Sequence, residues 1–399
     1  MKRLFVLFSI IVVLLVAALV GPSFVDWNKY KPQIIEQAQK ATGYEIEIAG
    51  DLSMAILPFP HLSIAGLTVN NPDARKQKPL AKAESVSVQV ALAPLFSGAI
   101  EVSDVSLQSP DIYVVVDKDG QPSWQTAKMK NKQAGEGTKS DLSDSVALNS
   151  VNIKNGALAY IDLRSETKHE VSDLNLSVSG DGLMGPYDSE GSLVYNGQKI
   201  AFKHESGDLT KLSEALPVEV TASLPDLGTN FSYKGIVAQK DGGVEAQGNL
   251  DFKTDAPQKL AKAYKVSIPE HLNKKAAVSG FVTLGGKDFN LREATISYGA
   301  TTVTGYALIS NYKPDASAPL HAELSLASNG VVNFDELMAP KAKTTKSTGG
   351  FLPASLTLPQ DVTGNISFKS PAIILNGQKY QNVDVALTTK DKQYDITAG

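Results

Sequence analysis

The sequence predicts a mainly β protein: one N-terminal transmembrane helix, then a long antiparallel sheet with one apolar face, and few short helices. Three observations predict it. Leu4–Val20 is a nearly unbroken apolar run, the chain from residue 44 onward alternates apolar and polar side chains with a period of two, and clear helical spacing is confined to one short stretch after the first run.

The apolar run comes first. Fourteen of the seventeen residues from Leu4 to Val20 are Leu, Ile, Val or Phe, and no charge stands between Arg3 and Asp26. At 1.5 Å per residue Leu4–Val25 would reach roughly 33 Å, enough for a bilayer core. Lys2 and Arg3 before the run keep the N-terminus in the cytoplasm and send the rest across. A cleaved signal peptide is the rival reading. The run exceeds an ordinary signal core, and Ala17-Ala18-Leu19-Val20-Gly21-Pro22 is a poor cleavage site, so a retained anchor over residues 1–25 is expected.

Just beyond it, Asn28 to Ala41 carries Tyr30, Ile34, Ala38 and Ala41 near helical spacing, with Gly43 as a stop. Pro32 places the start of the helix proper close to Lys31. Trp27 and Tyr30 fall where aromatic rings favour the membrane interface, and equally where a capping helix would bury them. A second helical stretch is expected around Ala256–Ala263.

The body reads as strands. Val86, Val88, Val90 and Leu92 alternate with Ser87, Gln89 and Ala91; Leu174, Leu176 and Val178 alternate with Asp173, Asn175 and Ser177; Leu320, Ala322, Leu324 and Leu326 alternate with His321, Glu323 and Ser325. Asn196-Gly197 and Asn376-Gly377 mark two-residue hairpin turns. Sheets buried on both faces would read as continuous apolar runs, so a one-sided antiparallel sheet is expected. Its apolar face must be covered by folding into a sandwich or barrel, or left open as a trough, and periodicity does not choose among these. Lys128 to Ser145 and Pro340 to Gly350 read as solvated loops.

Composition excludes several kinds of chemistry. The net charge of −4 offers no basic surface for nucleic acid, and the absence of cysteine removes disulfides, thiolate metal sites and a cysteine nucleophile. The five histidines stand far apart, without the spacing of a helical metal pair. No serine-hydrolase elbow occurs, and Gly280, Gly285 and Lys287 miss the phosphate-loop spacing. Gly180-Asp181-Gly182-Leu183-Met184-Gly185 mimics a dinucleotide fingerprint, but Pro186 and a further alternating stretch follow where a helix is required. Asp117 and Asp119 beside Gly120 read as turn residues. No enzyme, metal or cofactor is expected.

An ordered series of segments resembles the AsmA family of envelope proteins. After the apolar run come Asp26-Trp27-Asn28-Lys29-Tyr30-Lys31-Pro32-Gln33-Ile34, Ala41-Thr42-Gly43-Tyr44, Gly50-Asp51, Leu57-Pro58-Phe59-Pro60 and Asn70-Asn71-Pro72. Val90-Ala91-Leu92-Ala93-Pro94-Leu95-Phe96-Ser97-Gly98, Asp117 to Trp124 and Ile153 to Asp162 continue it through about residue 205. The resemblance implies a single-pass bacterial inner-membrane protein with an elongated, curved antiparallel sheet in the periplasm. That sheet forms an open apolar trough that carries phospholipid acyl chains toward the outer membrane. It divides the chain into residues 1–25, the anchor; 26–205, an N-terminal β module with a short capping helix; and 206–399, a continuation of the trough. Family members run longer, so a truncated form, or reliance on an envelope protein partner, is expected. By parity, Val86, Val88, Val90, Leu92, Leu174, Leu176, Val178, Leu320, Leu324 and Leu326 would line the trough, with Lys2, Arg3, Trp27 and Tyr30 at the membrane interface. The alternative is a structural or regulatory factor in outer-membrane protein assembly, with a closed core and no lipid.

Overall fold

The computed structural model describes residues 21–71, 78–91, 94, 101–126, 146–240, 243–311, 320–337, 362–390 and 393–398. Strands take up 63% of the described residues. Two short α-helices accompany them, α1 (Lys31–Thr42) and α2 (Pro257–Ala263). No helix among the described residues is long and apolar enough to cross a membrane. The expected span Leu4–Val20, with Lys2 and Arg3, lies outside them, as do the expected loops Lys128–Ser145 and Pro340–Gly350. The chain divides into two compact units, Met1–Lys203 and His204–Gly399.

The first unit begins with 3-10 turns at Gly21–Phe24 and Trp27–Tyr30. The Asp26 carboxylate accepts from the Asn28 N–H at 3.2 Å and caps the second turn. The α-helix then starts at Lys31, where Pro32 fits because a first-turn N–H has no helical partner. It stops at Gly43, whose left-handed φ of 80° lets its N–H reach Gln39 O at 2.7 Å.

The strands of this unit are β1 (Ile46–Ile48), β2 (Leu52–Ala55), β3 (His61–Val69), β4 (Ala81–Val90), β5 (Val102–Gln108), β6 (Asp111–Val116), β7 (Val146–Asp162), β8 (Thr167–Gly180), β9 (Tyr187–Tyr195) and the first part of β10 (Gln198–Ser206), whose last three residues fall in the second unit. β3 pairs antiparallel with β1, β2 and β4, and β8 joins β7 to β9 in the same sense.

The second unit holds β11 (Leu216–Leu224), β12 (Thr229–Lys240), β13 (Gly243–Thr254), β14 (Ala276–Gly285), β15 (Asp288–Tyr298), β16 (Thr301–Ser310), β17 (Leu320–Ala327), β18 (Val331–Asn333), β19 (Val362–Leu375), β20 (Gln378–Lys390) and β21 (Gln393–Ala398). β11 to β17 form an antiparallel meander, and β19 to β21 form another. Asn196-Gly197 and Asn376-Gly377 turn as expected, with φ of 46° and 82°, then 54° and 74°.

The expectation of a purely antiparallel sheet is corrected. β5 and β6 both run parallel to β7, and β17 and β18 both run parallel to β19. A tight hairpin reverses direction, whereas a parallel partner needs a crossover of a dozen or more residues. The stretches between β6 and β7 and between β18 and β19 supply that length. Both units therefore use one device: a strand broken at Ser109-Pro110, or at Ser328-Asn329-Gly330, lies beside an unbroken strand.

A line of left-handed residues crosses the first unit. Gly66 (φ 66°) in β3, Ser109 (47°) in the break between β5 and β6, Asn155 (53°) in β7 and Asp173 (50°) in β8 stand at neighbouring register positions, with β4 passing between the first two. At this line the apolar alternation changes parity: Leu62 and Ile64 give way to Leu67 and Val69, and Val151 and Ile153 to Leu158 and Tyr160. A bulge shifts alternation by one residue, so the sequence must slip by one to keep its apolar side chains on one face.

The tightest core lies in the second unit. Val332 is 1% exposed and Ile373 3%, packed with Leu375 and Val383, and Phe334 meets Phe368 edge to face at 5.5 Å. The Asp335 carboxylate fastens the neighbouring hairpin turn, accepting from Asn376 N–H at 2.6 Å and Gly377 N–H at 2.7 Å.

In the β7–β8 turn of the first unit, Asp162 accepts from Arg164 Nη2 at 2.6 Å, Arg164 Nε at 3.1 Å and Arg164 N–H at 2.9 Å. The Arg164 side-chain hydrogen bonds hold the Asp162 pKa down at about 2. A carboxylate pKa lowered on folding stabilises above its ordinary value of 3.8 and loses that contribution as pH falls toward 2. Asp162→Asn is therefore expected to lower the thermal midpoint at pH 6, and the difference from wild type should close below about pH 2. Calorimetry across that range checks it.

Candidate functional site

Cross-strand register turns the period of two into a surface. In the second unit Ala222, Phe231, Phe252, Val278, Ile296 and Val303 are successive partners from β11 to β16. One residue along, Thr221, Ser232, Asp251, Ser279, Thr295 and Thr304 are partners in the same strands. Adjacent residues of a strand point to opposite faces, so one face is apolar and the other polar.

A second apolar row runs further. Val218, Gly235, Gly248, Val282, Leu291 and Ala307 lead on through Leu324 and Ile366 to Leu387 in β20. At about 4.8 Å per strand, its nine strands span roughly 38 Å. Gly235 and Gly248 face each other at the row's gap, where a Cβ on Gly235 would stand 2.2 Å from Gln247 O. The Tyr233 hydroxyl lies over this spot and donates to Ile236 O at 2.9 Å; burial raises the phenol above its ordinary pKa.

The first unit repeats the arrangement. Met54, Leu62, Val88, Val105, Val151 and Val178 are successive partners, as are Leu52, Ile64, Val86, Leu107, Ile153 and Leu176. Between them lies the opposite-face row Ser53, Ser63, Ser87, Ser106, Asn152 and Ser177. Ser177 Oγ donates to Asn152 Oδ1 at 3.1 Å within it.

The apolar rows are not sealed. Phe231, Phe252, Val278, Ile296, Leu324 and Ile366 are all half-buried rather than buried, and so are Leu62, Val88, Val105, Val151 and Val178. The centre of a sandwich would bury such positions as completely as Val332. Buried members such as Leu52, Val282 and Leu291 are a minority. Most described members of these rows therefore keep part of their surface in contact with solvent.

The structure places the sequence-derived lining residues as follows. Val86, Val88, Leu176 and Val178 stand in the two first-unit rows, Val90 pairs with Val102, and Leu174 lies opposite Gly156 beside Leu176. Leu324 stands in the long row, Leu326 pairs with Gly305 and Phe368, and Leu320 occupies the same parity of β17. Leu92 lies outside the described residues. Trp27 and Tyr30 share the second 3-10 turn, ring centroids 5.7 Å apart, with Tyr30 exposed. Parity reasoning missed the shift along the left-handed line and the aromatic residues Phe231, Phe252 and Phe368. The Phe-x-Tyr spacing in Phe231-Ser232-Tyr233 was the available signal.

Among the described residues no three His, Asp or Glu side chains come together as a metal site. His61, His169, His271 and His321 each bond another protein group, for instance His271 Nε2 with Leu337 O at 2.8 Å. The Gly180–Gly185 stretch is the turn between β8 and β9, and Asp117 Oδ1 takes the N–H groups of Asp119 and Gln121 in another turn.

A mainly β chain, one long mixed sheet with cross-strand apolar rows and only two short helices among the described residues, defines the class of protein. The AsmA family profile matches residues 1–205, and the chain belongs to the AsmA family. It is similar to Protein AsmA of Escherichia coli (strain K12), 24% identical over 285 residues that cover 67% of this chain and 42% of that protein. It is also similar to AsmA family protein YhjG of the same organism, 22% identical over 287 residues that cover 64% and 41%. The chain thus spans about two fifths of the length of the curated relatives it matches. Membership suggests a function tied to the cell envelope or outer membrane.

Proposed function

We propose that this protein is a non-catalytic, inner-membrane-anchored periplasmic protein that holds phospholipid acyl chains on its apolar sheet face and supports lipid transport toward the outer membrane. The observation that carries the reading is the apolar row of cross-strand partners from Val218 to Leu387, in which Val218, Ala307, Leu324, Ile366 and Leu387 are half-buried rather than buried. An acyl chain laid on it leaves water at about 0.8 kcal/mol per CH₂. Half a bilayer core is about 15 Å, so a row of roughly 38 Å has room for more than one chain. Headgroups stay in water beyond the row, and no bond is made or broken.

Photocrosslinking in the intact chain tests the reading. With p-benzoylphenylalanine at Phe252, irradiation of cells is expected to give phospholipid adducts by mass spectrometry; with it at Asp251, one residue away, adducts should be absent. No lipid adduct from Phe252 would sink the reading. A protein adduct there instead would favour the structural or regulatory alternative.

A further inference from the structure

We propose that the β2–β3 tip, Leu57 to Phe59, docks in the interfacial layer of the bilayer that the N-terminal run enters. The inference rests on the anchor in the function proposed above and goes beyond it by giving the folded body its own membrane contact.

Five large apolar side chains are left exposed in two short segments. Phe24 is 85% exposed and Val25 44%, with Tyr30 at 49%; across from them Leu57 is 47% and Phe59 59% exposed. Single exposed apolar residues are ordinary on any protein surface, but these segments belong together. Both 3-10 turns pack against β2, and Asn28 Oδ1 accepts from the Leu52 N–H at 3.0 Å. β2 is four residues long, about 13 Å at strand rise, so its far end carries the tip no more than a short strand away from the turns.

The chain preceding Gly21 identifies the occupant. Leu4–Val20 ends one residue before the first 3-10 turn, and its composition is that of a bilayer span. A surface that begins where such a run ends, and shows Phe, Val, Tyr, Leu and Phe to solvent, meets lipid before it meets a protein. Aromatic rings are favoured at that depth. The tip is also built stiff. Pro58 and Pro60 flank Phe59, Pro60 O accepts from the Val90 N–H at 2.9 Å, and His61 Nδ1 bonds Phe59 O at 2.9 Å. A tip already fixed loses little freedom on docking.

Docking there has a functional consequence. Met54 stands three residues before Leu57 and Leu62 three residues after Phe59, and these two are partners in the first apolar row of the sheet. The tip would hold the start of that row against the membrane surface, where an acyl chain must enter.

The absence of cysteine allows a clean test. Phe59→Cys, labelled with an environment-sensitive nitrobenzoxadiazole dye, is placed in proteoliposomes of the full chain containing shallow brominated phospholipids. Met184→Cys, at the exposed β8–β9 turn, is the comparison. Quenching of at least twofold at position 59 and little at 184 is expected. Equal quenching at the two sites, or none at 59, would overturn docking, as would failure of the full chain to float with the vesicles. Quenching at 59 without crosslinked lipid at Phe252 would leave docking standing and sink the lipid-holding reading; adducts without quenching would do the reverse.

Discussion

Leu324→Glu is expected to cut the yield of phospholipid crosslinked at Phe252 at least tenfold, while Ser325→Glu leaves it within twofold of wild type. The two positions are neighbours in β17 and face opposite ways. Leu324 stands between Ala307 and Ile366 in the long apolar row; Ser325 stands between Tyr306 and Ser367, with Ser367 Oγ donating to Ser325 Oγ at 2.9 Å. Both variants add the same charge to the same strand, so a general effect of charge on the sheet acts on both. Only at Leu324 would an acyl chain lie over the carboxylate and strip it of water, which costs several kcal/mol without a partner. A loss of about 1.4 kcal/mol already gives tenfold. The half-buried setting of Leu324 leaves the free carboxylate access to solvent, so the sheet should still form. Circular dichroism on both variants checks that. Equal yields from two folded variants would mean that lipid does not lie along this row.

Much of this face was legible as alternation. Val86-Ser87-Val88 and Leu324-Ser325-Leu326 state their own parity, because a strand has only two faces and burial fixes which is apolar. Parity does not tell which strands are neighbours. The sequence of β5 and β7 contains nothing that distinguishes a parallel from an antiparallel partner, since both faces look the same to a one-sided strand. Direction is set by the length of the connection, and the stretches before β7 and β19 read only as solvated loops.

The left-handed line shows a second limit. Asn155-Gly156 has the composition of a two-residue turn, like Asn196-Gly197 and Asn376-Gly377, yet β7 passes straight through it for seventeen residues. Lateral pairing decides the matter. From Asp104 onward β7 keeps one constant offset from β5 and β6, with Val105 opposite Val151 and Asp111 opposite Ala157, so the chain cannot reverse there. Local preference favours a left-handed residue at Asn155, and the ladder converts a turn into a bulge. How deeply each residue of the face is buried was out of reach for a similar reason. A half-buried and a fully buried valine have the same letter.

Gly364→Ala is expected to be strongly destabilising, at about 3–4 kcal/mol from backbone strain and steric clash together. Gly364 lies where β19 pairs in parallel with β17, opposite Ala322, with φ at 139°. A Cβ there would stand 1.8 Å from Ala322 O and 2.7 Å from Ala322 C, both backbone atoms that no rotamer change can move. The parallel join would have to open by more than an ångström. Gly377→Ala separates the two causes: its φ of 74° is also left-handed, but nothing lies within 4 Å of the added Cβ, so strain acts alone at about 1 kcal/mol. For a unit of this size each kcal/mol is worth about 2–4 °C, so the two midpoints should fall by roughly 6–16 °C and 2–4 °C. Similar shifts for both would mean that the join yields without cost. The larger shift at Gly364 would show that the long apolar row, which passes from Leu324 to Ile366 two residues further along this same join, depends on a close backbone approach that only glycine permits.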